Sequence, residues 1–159
     1  MPTGVEAADG LVRIRVLLER PAGEPGPEED FIWAEALGSG RFRVETSPFF
    51  AYGISRDDVV QAEDGAGQGD PLRLEAVVEK SGHRTLRVAL DGSSELAAPG
   101  LQRLLERLIE LGCTHELLRP RLVAIDLAPE VDLPAVAELL QARVREGVLA
   151  WEWADPRPS

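Results

Sequence analysis

Two β-type runs separated by only five residues constrain this chain more than any other feature. Residues 72–79 and 85–90 are rich in Leu and Val at strand spacing, and residues 80–84, which join them, include Gly82. Before this pair the chain shows short alternating runs cut by Gly and Pro, and after it strand-period and helix-period segments alternate. Two halves therefore meet here. The reading is an N-terminal β-rich module over residues 11–80 and an α+β module over 84–154, the two sharing one core, with residues 1–10 as a flexible tail.

In the first half, Val12, Ile14, Val16 and Leu18 alternate with Arg13, Arg15 and Leu17, the period of a half-buried strand. Residues 20–30 carry three prolines and several acids and read as a solvated loop. Strands are expected over 31–37 and 41–46, with Phe42 and Val44 inward and Gly38, Ser39 and Gly40 as a three-residue hairpin turn. Residues 47–53 break the alternation, 59–63 form a short strand, and Gly65, Gly67 and Gly69 mark a loop. Five short strands with tight turns predict a bent antiparallel sheet or partial barrel.

In the second half, Leu86, Val88 and Leu90 line a strand, and residues 92–94 make a turn. Leu101, Leu104, Leu105, Leu108 and Leu111 then recur at helix spacing, ended by Gly112. Residues 114–118 read as an edge strand and 122–127 as a central one. Asp132 caps a second helix with Pro134 in its first turn, and a last strand carries Trp151 and Trp153. Strand, helix, strand, strand, helix, strand is the order of a ferredoxin-like split βαβ half, so the fold class is α+β. Both helices would cover one sheet face. The other face, with Arg87, Ala89, Ala124 and Asp126, must pack on the N-terminal strands or on a second copy, and an Arg87–Asp126 cross-strand pair is expected there.

Composition narrows the partners. With 17 basic and 28 acidic residues among 159 the net charge is -11, which leaves no positive footprint for nucleic acid or anionic membrane and favours a basic protein partner. The single cysteine, Cys113, excludes an internal disulfide, and neither a signal pattern nor an apolar run of spanning length is present. A cytoplasmic protein, monomer or homodimer, is expected.

Trp33 and Glu35, residues 38–43, Pro48 with Phe49 and Phe50, Gly53 to Ser55, Asp58 to Val60 and residues 79–87 stand in an order and spacing that resembles a bacterial family known as domain of unknown function 4265. The resemblance covers about residues 11–153. It implies a bacterial cytosolic protein and no particular reaction, and such small acidic proteins include immunity or accessory proteins by analogy.

Ser81 and His83 place a hydroxyl and an imidazole two residues apart, with Arg84 beside them as an anion holder. Nucleophilic catalysis also needs a third group to orient the base, and no strained nucleophile turn of the G-x-S-x-G type is present. The simplest reading is a turn whose side chains bond the backbone, followed by a ligand or partner contact, then catalysis. Phe49, Phe50 and Tyr52, with Trp33, are either barrel core, the simpler reading, or the wall of a pocket. Cys113 and His115 lack further ligands apart from His83, so no metal is expected, and no cofactor. Asp57 with Asp58, and Glu28 to Asp30, read as solvated acidic runs, and Trp151 and Trp153 as core under the second helix. The leading functional reading is a non-catalytic protein-interaction module of immunity or regulatory type. The alternative is a small-molecule sensor or enzyme with a pocket at the junction, near His83, Arg84, Phe49 and Phe50.

Overall fold

Eleven elements follow one another in the computed structural model, which describes residues 10–19, 23, 25–65, 67, 69–91, 98–119 and 121–154. The expected N-terminal tail up to residue 9, the 92–94 turn, and parts of the 20–30 and 65–69 loops lie outside the described residues. The first half supplies β1 (Leu11–Leu17), β2 (Glu29–Gly38), β3 (Arg41–Val44), β4 (Val59–Glu63) and β5 (Leu72–Glu79). The second supplies β6 (Arg84–Leu90), α1 (Pro99–Glu110), β7 (Cys113–Arg119), β8 (Leu122–Leu127), α2 (Leu133–Arg145) and β9 (Leu149–Trp153). The architecture is α+β.

Strands β1 to β5 form a closed barrel in chain order, each pair antiparallel except the closing β1–β5 pair, which is parallel. Period-2 alternation sends Ile14, Ile32, Val44 and Val60 inward, and all four are completely buried. The β2–β3 hairpin differs from the expected three-residue turn. Gly38 pairs with Arg41, so only Ser39 and Gly40 connect the strands, both at positive φ (56° and 75°), after a register shift between Ala36 and Gly38. Two positive-φ residues match the twist of a hairpin, which is why the turn shortens.

The second sheet has the order β7-β8-β6-β9, every pair antiparallel, with β6 and β8 central. Leu86 lies opposite Ile125 and Val88 opposite Val123, so one face is continuously apolar. Leu101, Leu104 and Leu108 of α1 and Val136 and Leu140 of α2 close over that face. Each large side chain so buried contributes roughly 1.5–3 kcal/mol of transfer free energy. Asp132 caps α2 as expected, its Oδ1 accepting from the Ala135 amide at 3.2 Å. Trp151 and Trp153 pack edge to face, with centroids 5.5 Å apart, against this same core.

Thus β5 and β6, neighbours in sequence, belong to different sheets, and the chain passes between the sheets at residues 80–83. Among the described residues no helix is long and apolar enough to cross a membrane.

Candidate functional site

The helix-free face of the second sheet carries Thr85, Arg87 and Asp126, which are all buried. A buried polar group needs partners, and the segment between β3 and β4, residues 45–58, supplies those of Thr85 and Arg87, while His83 supplies that of Asp126. Thr85 Oγ1 bonds Ser55 Oγ at 2.9 Å, Arg87 Nη1 donates to the Ala51 carbonyl at 2.8 Å, and the Gly53 amide donates to the Ala154 carbonyl at 2.8 Å. At the sheet edge Glu116 Oε2 accepts from the Ser47 amide at 2.6 Å, and Arg56 donates to Thr114 at 3.0 Å. The N-terminal half therefore covers this face, through an irregular segment rather than through barrel strands.

That segment has no regular backbone pairing of its own, so two buried aspartates hold its shape. Asp30 accepts from the Phe31, Phe50 and Ala51 amides at 2.9, 2.9 and 3.0 Å. Asp58, fully buried, accepts from the Ser55 and Ser81 amides at 2.9 and 2.8 Å and from Lys80 Nζ at 2.6 Å. The sequence reading of these acids as solvated runs is corrected: Asp57 is exposed, but Asp58 and Asp30 each anchor a turn of the segment. Asp58 was legible as the end of a Ser-x-x-Asp turn beginning at Ser55.

The expected Arg87–Asp126 pair also gives way to another. Register places Asp126 opposite Thr85 and Arg87 opposite Glu152 of β9, and Arg87 Nε contacts Glu152 Oε2 at 3.1 Å. Tyr52 completes this cluster, its hydroxyl donating to Glu152 at 2.6 Å and its ring lying 4.6 Å from the Arg87 guanidinium carbon. Burial, with Glu152 beside it, raises the Tyr52 pKa. Asp126 instead faces His83, with Nδ1 at 2.9 and 3.0 Å from its two oxygens, while His83 Nε2 lies 3.2 Å from Asp57. Only a cationic imidazole can donate to both carboxylates; a neutral one donates to a single side. Burial raises the Asp126 pKa, and His83 and Arg56 oppose that shift.

The Ser81–His83 pair is not assembled as nucleophile and base. The Ser81 hydroxyl donates to the Arg56 carbonyl at 2.7 Å and accepts from the backbone amide of His83 at 3.0 Å, while the His83 ring is held between aspartates. Arg84 extends over the Trp153 ring, 4.3 Å from its centroid, on the helix side of the sheet. Trp33 lies on the outside of the barrel, its amide donating to Thr46 Oγ1 at 3.0 Å. Among the described residues no cluster of three His, Cys, Asp or Glu side chains is placed to hold a metal ion. Cys113 is a buried free thiol whose pKa burial pushes up to about 11.

Phe49 and Phe50 lie elsewhere, in the wall of a groove of about 880 Å³ between the barrel and the second sheet. One wall is the barrel end, with Val16, Leu17, Leu74 and Val77, and the facing wall is the sheet, with Ala89, Leu122 and Ala150. The 45–58 segment forms the third side, and the Arg87–Glu152–Tyr52 cluster is the polar patch within an otherwise apolar lining. The structure thus divides the proposed site residues. Ser81 and His83 serve the seam between the sheets, Phe49 and Phe50 line the groove, and Arg84 and Trp33 belong to neither set. The groove residues that sequence reasoning missed, Leu17, Leu74 and Val77 among them, read there only as strand residues.

Three comparisons bear on this arrangement. Residues 30–151 match the model of a family described as a domain of unknown function, DUF4265. No curated protein matches the chain. Among solved structures, a hypothetical protein from Neisseria gonorrhoeae is similar in fold, with a TM-score of 0.74 at 15% identity over 92% of this chain and 96% of that one.

Proposed function

Because the chain belongs to the DUF4265 family, whose description assigns no activity, we propose a function from the junction itself: a non-catalytic binding module that receives a segment of a basic partner protein in the groove between its two sheets. The observation that carries this reading is the groove, about 880 Å³ with apolar walls on three sides and Leu17 at 65% exposure on its rim. Exposed apolar surface of this kind marks interaction sites. The groups that suggested catalysis are engaged elsewhere, Ser81 with backbone and His83 with two carboxylates, so neither is poised over the groove. A net charge of -11 favours a basic partner. A bacterial cytosolic setting, with a regulatory or immunity role, is the form this reading takes.

Leu17→Glu tests it, since the side chain is largely exposed and its replacement leaves the barrel core intact. A bacterial partner captured by the parent protein should be lost with this variant and released as salt rises. A complex indifferent to both changes contradicts the reading.

A second reading, a small-molecule sensor, is favoured by one observation: the groove volume falls in the range of ligand pockets and includes the buried Arg87 guanidinium. A thermal-shift screen of metabolites on the parent and Phe50→Ala decides between them, because a shift lost in the variant supports the sensor.

A further inference from the structure

The barrel is closed by its weakest pair. Strand β1 pairs with β2 at seven positions, but with β5 only at Ile14–Leu72 and Arg15–Arg73. Beyond Arg73, residues 74–79 of β5 have no strand partner on the β1 side among the described residues, although they continue to pair with β4 on the other. Two register shifts in the β4–β5 pair, between Val59 and Val60 and between Gln61 and Ala62, account for the splay, because a bulge bends and twists its strand. The open seam leads into the groove: Val16, Leu74 and Val77 line it and pack against the barrel core at the same time.

An unpaired strand edge flanking an apolar groove is a template for another strand. We propose that the partner segment binds as an added β-strand along residues 74–79 of β5, filling the wedge between β5 and β1 and completing the barrel seam. This rests on the reading of the groove as the binding surface, and it specifies the mode. It also specifies the segment. Strand addition places every second side chain towards Val16, Leu74 and Val77, so the inserted segment alternates apolar and polar residues. Along the same edge Glu75 and Glu79 of β5 and Glu19 beyond β1 carry no ion pair among the described residues, while Arg15 and Arg73 are neutralised by Glu29 and Glu63. The edge is therefore net negative, and the complementary segment is flanked by Lys or Arg.

A random library of linear peptides selected on the whole chain tests this. The expected winners alternate β-branched and polar residues between basic flanks, protect the amides of residues 74–79 from hydrogen exchange, and weaken about tenfold or more when alternate peptide nitrogens are methylated, since each lost strand bond lowers affinity. They also weaken against Leu17→Glu. Peptides that need Leu17 but tolerate backbone methylation overturn strand addition and leave the groove reading standing. No selected peptide, or only peptides indifferent to Leu17→Glu, overturns both.

Discussion

Asp58 shows how much depends on single acids at this junction. Its carboxylate is completely buried and takes two amides and one ammonium, so Asp58→Ala strips the Ser55 and Ser81 amides of their acceptor. Each buried donor so orphaned costs roughly 1–3 kcal/mol, and chemical unfolding should show a loss of about 3 kcal/mol or more; a loss under about 1 kcal/mol contradicts the role given to it. Glu116 makes a pH prediction. Burial raises its pKa above 4.5, because the ionised form is penalised inside the fold. With the folded value above the unfolded one, the native state binds more protons in that window, so stability falls as pH rises through it. Glu116→Gln keeps an acceptor for the Ser47 amide but cannot ionise. Its stability relative to the parent should therefore grow as pH rises from 4.5 upward; an advantage that shrinks with rising pH contradicts the assignment.

At the scale of elements, the 45–58 segment joins the two sheets, and Arg87 is its main fastening. Arg87→Ala removes the bond to the Ala51 carbonyl, the contact with Glu152 and the stacking against Tyr52. Hydrogen bonds to charged groups contribute roughly 1.5–3 kcal/mol, which sets the expected loss, and Arg87→Lys should recover little of it because an ammonium lacks the planar fork that serves both partners. Full recovery by lysine would show that charge alone matters. Most elements were legible in the sequence: period-2 runs around Ile14 and Val88 and the leucine stripe from Leu101 to Leu108 became strands and helix where they were read. Their burial depends on local periodicity, which a single sequence carries. The partners of Arg87 and Asp126 were not legible, because they depend on the register between β6, β8 and β9. Nor was the 45–58 segment beyond its Ser55–Asp58 turn, since the rest of its shape comes from the distant acid Asp30 rather than from a repeating pattern.

At the scale of the molecule, the fold is two sheets whose unlike faces meet through polar contacts at one end and stand apart as an apolar groove at the other. Thr85, Arg87 and Asp126 would be intolerable in a purely apolar interface, so the bonds of Thr85 and Arg87 to the 45–58 segment and of Asp126 to His83 fix how the sheets are placed. The candidate site was half legible: Phe49 and Phe50 were singled out and line the groove, whereas the barrel side of the groove depends on the short β1–β5 seam that no local pattern reveals. The most direct measurement is amide hydrogen exchange of the protein alone and with a selected basic peptide, resolved along the whole chain. New protection is expected at residues 16–18, 49–54 and 74–79 and none at 81–84. Protection confined to 81–84, or to the outer barrel surface around Arg13, Phe31 and Trp33, would contradict it.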